Sequence, residues 1–295
     1  MYWTSTQLDE VAAPILLAWR LGAVERYASL VKPAAAYIAA RGPTTPQERW
    51  EEIGGYSPAT LAAQIAGLVA AADLAQKSGD DASAAAWLTL ADTWQRQVKD
   101  WTFTSSGPLG DGRYFLRLAP RGDPNTDATL RIGGQVVDQR TLVDASFLEL
   151  VRLGVLAPQD AGVIATLPEV DAALQVVTPK GPSWYRYPGD AYGEQDRTSL
   201  TLAQGRPWPL LTGERGVYAM AAGDETTAAT LLQALEGFAN EGGMFSEQVW
   251  EDTGEGTGSA TPLVWAHAEY LVLWRSWHER AVFDLPDLVA QRYAR

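Results

Sequence analysis

Apolar positions recur at helical spacing along most of the chain. Leu8, Val11, Ala12, Ile15, Leu16 and Trp19 are separated by steps of three and four, which predicts an amphipathic helix over Gln7–Leu21, closed by Gly22. A second helix is predicted from about Val24 to Ala40, with Gly42-Pro43 as its stop. Ser57 as N-cap, Pro58 in the first turn and Gly79 past the end bracket a third; Asp80 or Asp81 then opens a fourth, through Trp87, Leu90 and Trp94 toward Val98. These two read as a helical hairpin. Between Trp101 and Gln139 the period changes: Arg113–Leu118 and Thr129–Ile132 alternate in twos around a Gly-Asp-Pro-Asn turn, which predicts a β-hairpin inserted at about residues 112–134. Helical spacing returns at Leu142–Leu153 and in a short segment, Pro168–Val176. Beyond a loop rich in Gly, Pro and aromatics (Pro179–Glu194), it returns at about Pro207–Ala222, Thr226–Asn240 and Pro262–Trp277, with a short helix near Leu285–Ala294.

Long and short loops alternate, and the long ones hold most of the non-helical Trp, Tyr and Glu. A ring of helical hairpins would gather such loops on one face, so the predicted fold is an all-α toroid, read as one domain over residues 1–295. An open helical bundle is the plainer alternative. The chain is 295 residues long with 46% apolar and 20% charged residues, ample for a large core and unlike a disordered chain. A net charge of −13 with only four Lys argues against nucleic acid or an anionic membrane as partner. No run of 18 uninterrupted apolar residues occurs, no signal peptide is visible at the N-terminus, and without cysteine there is neither a disulfide framework nor a thiolate metal site. Twelve Trp provide flat faces of the kind that sugars stack on.

Three loops concentrate polar chemistry. In Gln47-Glu48-Arg49-Trp50-Glu51-Glu52-Ile53-Gly54-Gly55-Tyr56, paired carboxylates adjoin an indole, a setting in which an acid tends to keep its proton and can act as a general acid. An ordinary acidic helix start is the competing reading. In Gly242-Gly243-Met244-Phe245-Ser246-Glu247-Gln248-Val249-Trp250, one Glu among apolar residues fits either a buried base or a capped helix start. In Ser183–Glu194, Arg186 stands among four aromatics, which suits hydrogen bonding to hydroxyls beside stacking faces, or merely a clamped loop. Trp208, in Gly205-Arg206-Pro207-Trp208-Pro209, lines a pocket or plugs one. Other chemistries are thinly supplied. His267 and His278 read as core or capping residues, Gly107–Gly112 lacks the Lys of a phosphate loop, and Glu251–Gly258 is too irregular for an EF-hand.

Taken together, these segments resemble glycoside hydrolase family 15, the glucoamylase and glucodextranase family, and its bacterial branch in particular. Gln47-Glu-Arg-Trp-Glu-Glu-Ile-Gly-Gly-Tyr-Ser-Pro58 is similar to the family's catalytic-acid motif, Ser246-Glu-Gln-Val-Trp250 to its catalytic-base motif, and Trp184-Tyr-Arg-Tyr-Pro…Asp190 to its substrate-binding loop. Tyr2-Trp3…Gln7-Leu-Asp-Glu10 and Val143–Arg152 extend the likeness in the family's order. The resemblance implies an (α/α)6 toroid with about nine of twelve helices present, and an inverting hydrolase that releases glucose from non-reducing ends of α-glucans of starch, malto or dextran type. Glu51 matches the general acid and Glu247 the general base. Glu52, Arg186 and Tyr187 match sugar-binding positions, and Trp3, Trp50 and Trp208 match aromatic walls. No metal or organic cofactor is implied.

The likeness begins near the fourth helix of the family, so the Trp-x-Arg-Asp segment that grips the terminal glucose and the N-terminal β-sandwich have no counterpart here. A ring opened in this way is expected to expose apolar helix faces and to favour self-association. The rival expectations are a sugar-binding remnant without turnover and a purely structural helical scaffold. Relatives acting on polysaccharides are exported, so secretion is implied by the resemblance alone. The motifs leave α-1,4 and α-1,6 linkages unseparated.

Overall fold

The computed structural model describes residues 5–132, 134–196, 199–202 and 205–294. Among these residues ten α-helices carry the fold: α1 (Leu8–Arg20), α2 (Lys32–Arg41, entered through a π-turn at Tyr27–Val31), α3 (Pro58–Lys77), α4 (Asp81–Thr102), α5 (Leu148–Arg152), α6 (Ala161–Leu174), α7 (Pro209–Ala221), α8 (Glu225–Gly237), α9 (Val264–Glu279) and α10 (Asp287–Tyr293). Helix α3 is alanine-rich and apolar on all sides, and buried nearly throughout. It is long and apolar enough to cross a membrane, and 89% of its apolar stretch lies inside the protein. Around it runs an inner arc in which α1 packs on α3, α3 on α5, α5 on α7, and α7 on α9. An outer layer covers the arc, with α2 on α1 and α3, α4 on α3, and α8 on α7 and α9. This is the predicted toroid.

Local chemistry explains most helix ends. Asp80, Asp160 and Asp224 cap α4, α6 and α8 by accepting from the amides of Ser83, Gly162 and Thr227. Gly22 and Gly79 take the left-handed turns that end α1 and α3 (φ 65° and 78°). Ser57 occupies the N-cap position of α3 but its hydroxyl makes no cap bond; Pro58 at the first helical position fixes that start. Helix α6 begins at Ala161, seven residues ahead of the predicted segment, and Pro168 lies inside it instead of opening it.

The β-structure between α4 and α5 is present as two small antiparallel pairs. β1 (Phe103–Thr104) pairs with β2 (Tyr114–Phe115), and β3 (Thr129–Ile132) with β4 (Gln135–Asp138). The two alternating runs therefore do not pair with each other; each finds a nearer partner. Two hairpins absent from the sequence reading, β5 (Gln175–Thr178) with β6 (Gly181–Trp184) and β7 (Glu194–Asp196) with β8 (Ser199–Leu202), precede α7.

Candidate active site

The acid segment leaves α2 and is closed by a bridge between Thr45 and Gly55, then tied to the β-insertion by a second bridge between Tyr56 and Ala119. Gly55 is required there: at φ 151° a Cβ would stand 2.7 Å from Leu118 Cδ2 and 2.8 Å from the Ala119 carbonyl oxygen. Inside this closure the chain turns tightly, with the Glu51 amide donating to Glu48 O at 2.7 Å and the Glu48 amide to Ile53 O at 2.9 Å. Glu51 itself adopts a left-handed backbone (φ 63°), a strained conformation for a residue with a side chain and one that concentrates at functional sites. Its side chain is exposed, and among the described residues its carboxylate has no ion-pair partner.

The neighbouring carboxylates are held firmly. Arg117 is fully buried and donates one Nη2 to Glu48 Oε1 at 2.8 Å and to Glu52 Oε2 at 2.7 Å. Its guanidinium lies 3.6 Å from the centre of the Tyr187 ring. Burial alone would lower its pKa, but Glu48 and Glu52 outweigh that and keep the guanidinium charged. The other oxygen of Glu52 accepts from Arg186 Nη2 at 3.3 Å and from the Tyr187 hydroxyl. Burial pushes the Tyr187 phenol up, so it stays protonated and remains a donor. Arg186 is aimed by a two-point pairing with Asp190, at 2.8 and 2.7 Å.

Four aromatic faces surround the Arg186 guanidinium: Tyr192 at 4.9 Å, Tyr187 at 5.1 Å, Trp50 at 5.2 Å and Trp208 at 5.3 Å. Trp50 and Trp208 meet edge to face at 5.5 Å. Trp50 is fixed by its Nε1 donating to Asp144 at 2.9 Å, and Asp144 is oriented in turn by Ser146, which gives the Val143–Arg152 segment its role. Below, Arg49 lies 4.6 Å from the Trp50 ring and 5.3 Å from that of Trp265, and pairs with buried Glu214 at 2.8 Å.

Glu247 is linked to this group through Gln248 and Tyr192. Its segment, between α8 and α9, is held by the Glu247 amide on Ala260 O, by Val249 N on Pro207 O, both at 2.9 Å, and by His267 Nε2, which accepts from the Phe245 amide at 3.2 Å. His267 is thus a structural tie, as the sequence indicated. Glu247 is partly buried; Gln248, beside it, donates to Glu247 Oε2 and to Tyr192 O, each at 3.4 Å, and accepts from the Arg206 amide at 3.2 Å. The Tyr192 ring stands 6.2 Å from Trp208.

Of the residues singled out in the sequence, Trp50, Glu52, Arg186, Tyr187 and Trp208 converge directly. Glu51 shares their turn, and Glu247 joins through Gln248 and Tyr192. Trp3 lies outside the described residues. Tyr192 is one of the four aromatics noted around Arg186; Arg117, Trp265 and the Arg49–Glu214 pair were not foreseen. An arginine in a run alternating in twos, Tyr114-Phe115-Leu116-Arg117-Leu118, was the available signal for a charge forced inward.

An arc of paired helices whose loops bring together carboxylates, indoles and a clamped guanidinium defines an α/α-toroid protein. The chain belongs to the glycosyl hydrolases of family 15, whose profile matches residues 2–275. It is 55% identical over 296 residues to a glucoamylase of Clostridium sp. (strain G0005), an alignment that covers 99% of this chain and 42% of that protein. A crystal structure of a bacterial glucoamylase complexed with acarbose superposes with a TM-score of 0.97 at 53% identity, over 100% of this chain and 44% of the other. A family 15 glucoamylase from Hypocrea jecorina shares the fold at a TM-score of 0.66 and 16% identity, over 98% and 55%. The chain therefore spans less than half the length of its two closely similar relatives.

Proposed function

We propose that these 295 residues form part of a single catalytic domain of an exo-acting, inverting glycoside hydrolase that releases glucose from non-reducing ends of α-glucans. Glu51 protonates the glycosidic oxygen as the C1–O bond breaks. Glu247 takes a proton from a water that attacks C1 on the opposite ring face, so the new hydroxyl has the inverted configuration. Glu52, Arg186 and Tyr187 hydrogen-bond sugar hydroxyls, and Trp50, Trp208 and Trp3 supply the flat walls.

The observation that carries this reading is the division of labour between two adjacent glutamates. Glu52 is held by Arg117, Arg186 and Tyr187, whereas Glu51 is exposed and has no ion-pair partner among the described residues, leaving its carboxyl for a substrate oxygen. The second carboxylate, Glu247, sits on a separate loop and is tied through Gln248 to Tyr192, a member of the same aromatic group.

The test is glucose release from malto- and isomaltooligosaccharides, with the anomer followed by proton NMR. Wild-type chain should release β-glucose, and the preferred series names the linkage. Glu247→Gln should lower the rate by roughly 10²–10⁴-fold, the usual contribution of a general base. Release of α-glucose, or undiminished turnover in the variant, overturns the assignment.

A further inference from the structure

Glu251 joins three loops of the candidate site. It opens the acidic stretch Glu251–Gly258, whose composition alone suggests no definite shape. In the structure this stretch makes a tight turn. The Trp250 amide donates to Glu255 O at 2.8 Å, the Gly254 amide donates to Trp250 O at 2.7 Å with Gly254 left-handed (φ 71°), and Val249 bridges to Gly256. From this turn the Glu251 carboxylate reaches two other segments. Its Oε1 accepts from the Tyr185 hydroxyl at 2.8 Å and from Arg206 Nη1 at 3.0 Å, and its Oε2 accepts from the same nitrogen at 3.2 Å. The Arg206 guanidinium lies 5.0 Å from the centre of the Trp250 ring.

Each partner sits beside a residue of the site. Tyr185 directly precedes Arg186, and Arg206 is two residues ahead of Trp208. The three segments lie side by side: the Trp208 amide donates to Trp184 O at 2.8 Å, and the Val249 amide to Pro207 O at 2.9 Å. Arg206 also leads to Glu247. Its amide donates to Gln248 Oε1 at 3.2 Å, and Gln248 Nε2 donates to Glu247 Oε2 at 3.4 Å. Burial pushes the Tyr185 phenol up, and the bond to Glu251 pushes it further, so Tyr185 stays protonated and remains a donor. The Glu251 side chain is 24% exposed and that of Arg206 14%, so water screens their pairing less than it would an ion pair on the open surface.

We propose that Glu251 is a positioning residue for two parts of the site at once. Through Tyr185 it fixes the loop that offers Arg186 to sugar hydroxyls, and through Arg206 and Gln248 it fixes Glu247 for the attacking water. Its role rests on those proposed above for Arg186 and Glu247, and Glu251 itself transfers no proton and touches no sugar. A displacement of about 1 Å at a reacting group can cost on the order of 10²-fold in rate, so a carboxylate outside the chemistry can govern it.

Steady-state glucose release from maltooligosaccharides, measured beside thermal melting of each variant, tests this role. Glu251→Ala should lower kcat/KM roughly 10–100-fold at a temperature where the variant is fully folded. Glu251→Gln keeps an oxygen that accepts from both partners and should recover most of that loss. The two branches should separate in the kinetic constants. Tyr185→Phe, which releases the Arg186 loop, should raise KM several-fold with kcat near the wild-type value, whereas Arg206→Gln, which loosens the base side, should lower kcat. Both of these variants leave the backbone ties among the three segments in place, so they decide the matter if Glu251→Ala fails to fold. Melting temperatures that fall while kcat and KM keep their wild-type values reduce Glu251 to a structural tie and overturn the proposal, as does a Glu251→Gln variant no better than Glu251→Ala. A wild-type chain that releases no glucose overturns instead the function proposed above, and the positioning role with it.

Discussion

Replacing Arg117 with Met should make the protein's stability fall more steeply with rising pH than the native chain's does. Glu48 and Arg117 are both fully buried, and the two Glu48 oxygens accept from Arg117 Nη2 and from the Trp50 amide (3.0 Å). Burial pushes the Glu48 carboxyl up, and Arg117 and the Trp50 amide pull it back toward ionisation; with both oxygens accepting, no acceptor remains for a carboxyl proton. Methionine fills much of the arginine volume but removes the charge. Glu48 must then take up a proton, and neutralising a carboxyl of ordinary pKa 4.5 at pH 7 costs about 3.4 kcal/mol, at 1.36 kcal/mol for each of 2.5 pH units. With an unfolding entropy near 2.1 cal/mol/K per residue over 295 residues, that is a fall in Tm of about 5–6 °C. The same arithmetic gives about 0.7 kcal/mol, or roughly 1 °C, at pH 5. The sign follows from linkage: a carboxyl raised in the folded state stabilises below its unfolded pKa, and that stability is lost as pH rises. Calorimetric melting of both proteins between pH 5 and 8 reads the difference directly. A deficit that is the same at pH 5 and pH 7 would refute the reasoning, and Arg117→Met/Glu48→Gln should recover most of the loss at pH 7.

Two further outcomes follow from the same geometry. Around Arg49 and Arg152 stand four carboxylates, Glu149, Glu214, Glu269 and Asp284, and burial holds Glu214 and Glu269 above the ordinary range against the pull of the two guanidiniums. Folding therefore takes up protons above pH 4.5, and Tm should fall as pH rises toward 8; Glu214→Gln, which still accepts from Arg49, should flatten that slope, and an unchanged melting profile would count against a shared buried proton. Gly55→Ala should cost about 1–3 kcal/mol through the clash with Leu118 and Ala119. Because Gly55 closes the turn that carries Glu51, it should also lower glucose release at temperatures where the variant is fully folded, which parallel melting and activity curves would separate.

The helices were legible wherever the helical period ran long enough to outvote local exceptions, as in α1, α3, α4 and α9. Where a single residue type carried the inference, context overruled it. Pro168 signals a helix start, yet Asp160 caps the helix more than two turns ahead of it, and the proline is tolerated inside. Strands of two residues such as Phe103–Thr104 present no period at all, so the partner of Tyr114–Phe115 was invisible and a single larger hairpin was inferred in its place. The site divides in the same manner. Trp50, Glu52, Arg186 and Trp208 could be read because each lies in a short segment whose composition is unusual by itself. Arg117 could not, because its meaning depends on Glu48 and Glu52, which lie 69 and 65 residues away. Least legible of all was what separates Glu51 from Glu52. Side by side and chemically identical, they differ only in what the backbone does with them. Glu52 is held by two guanidiniums, whereas Glu51, on a left-handed backbone step, is exposed and has no ion-pair partner among the described residues. The strain of that step, of order 1–3 kcal/mol, is sustained by the Arg117 clamp and the Gly55 closure, neither of which supplies the acid itself. Substitutions at those two supports are therefore where stability and chemistry should be most tightly coupled in this chain.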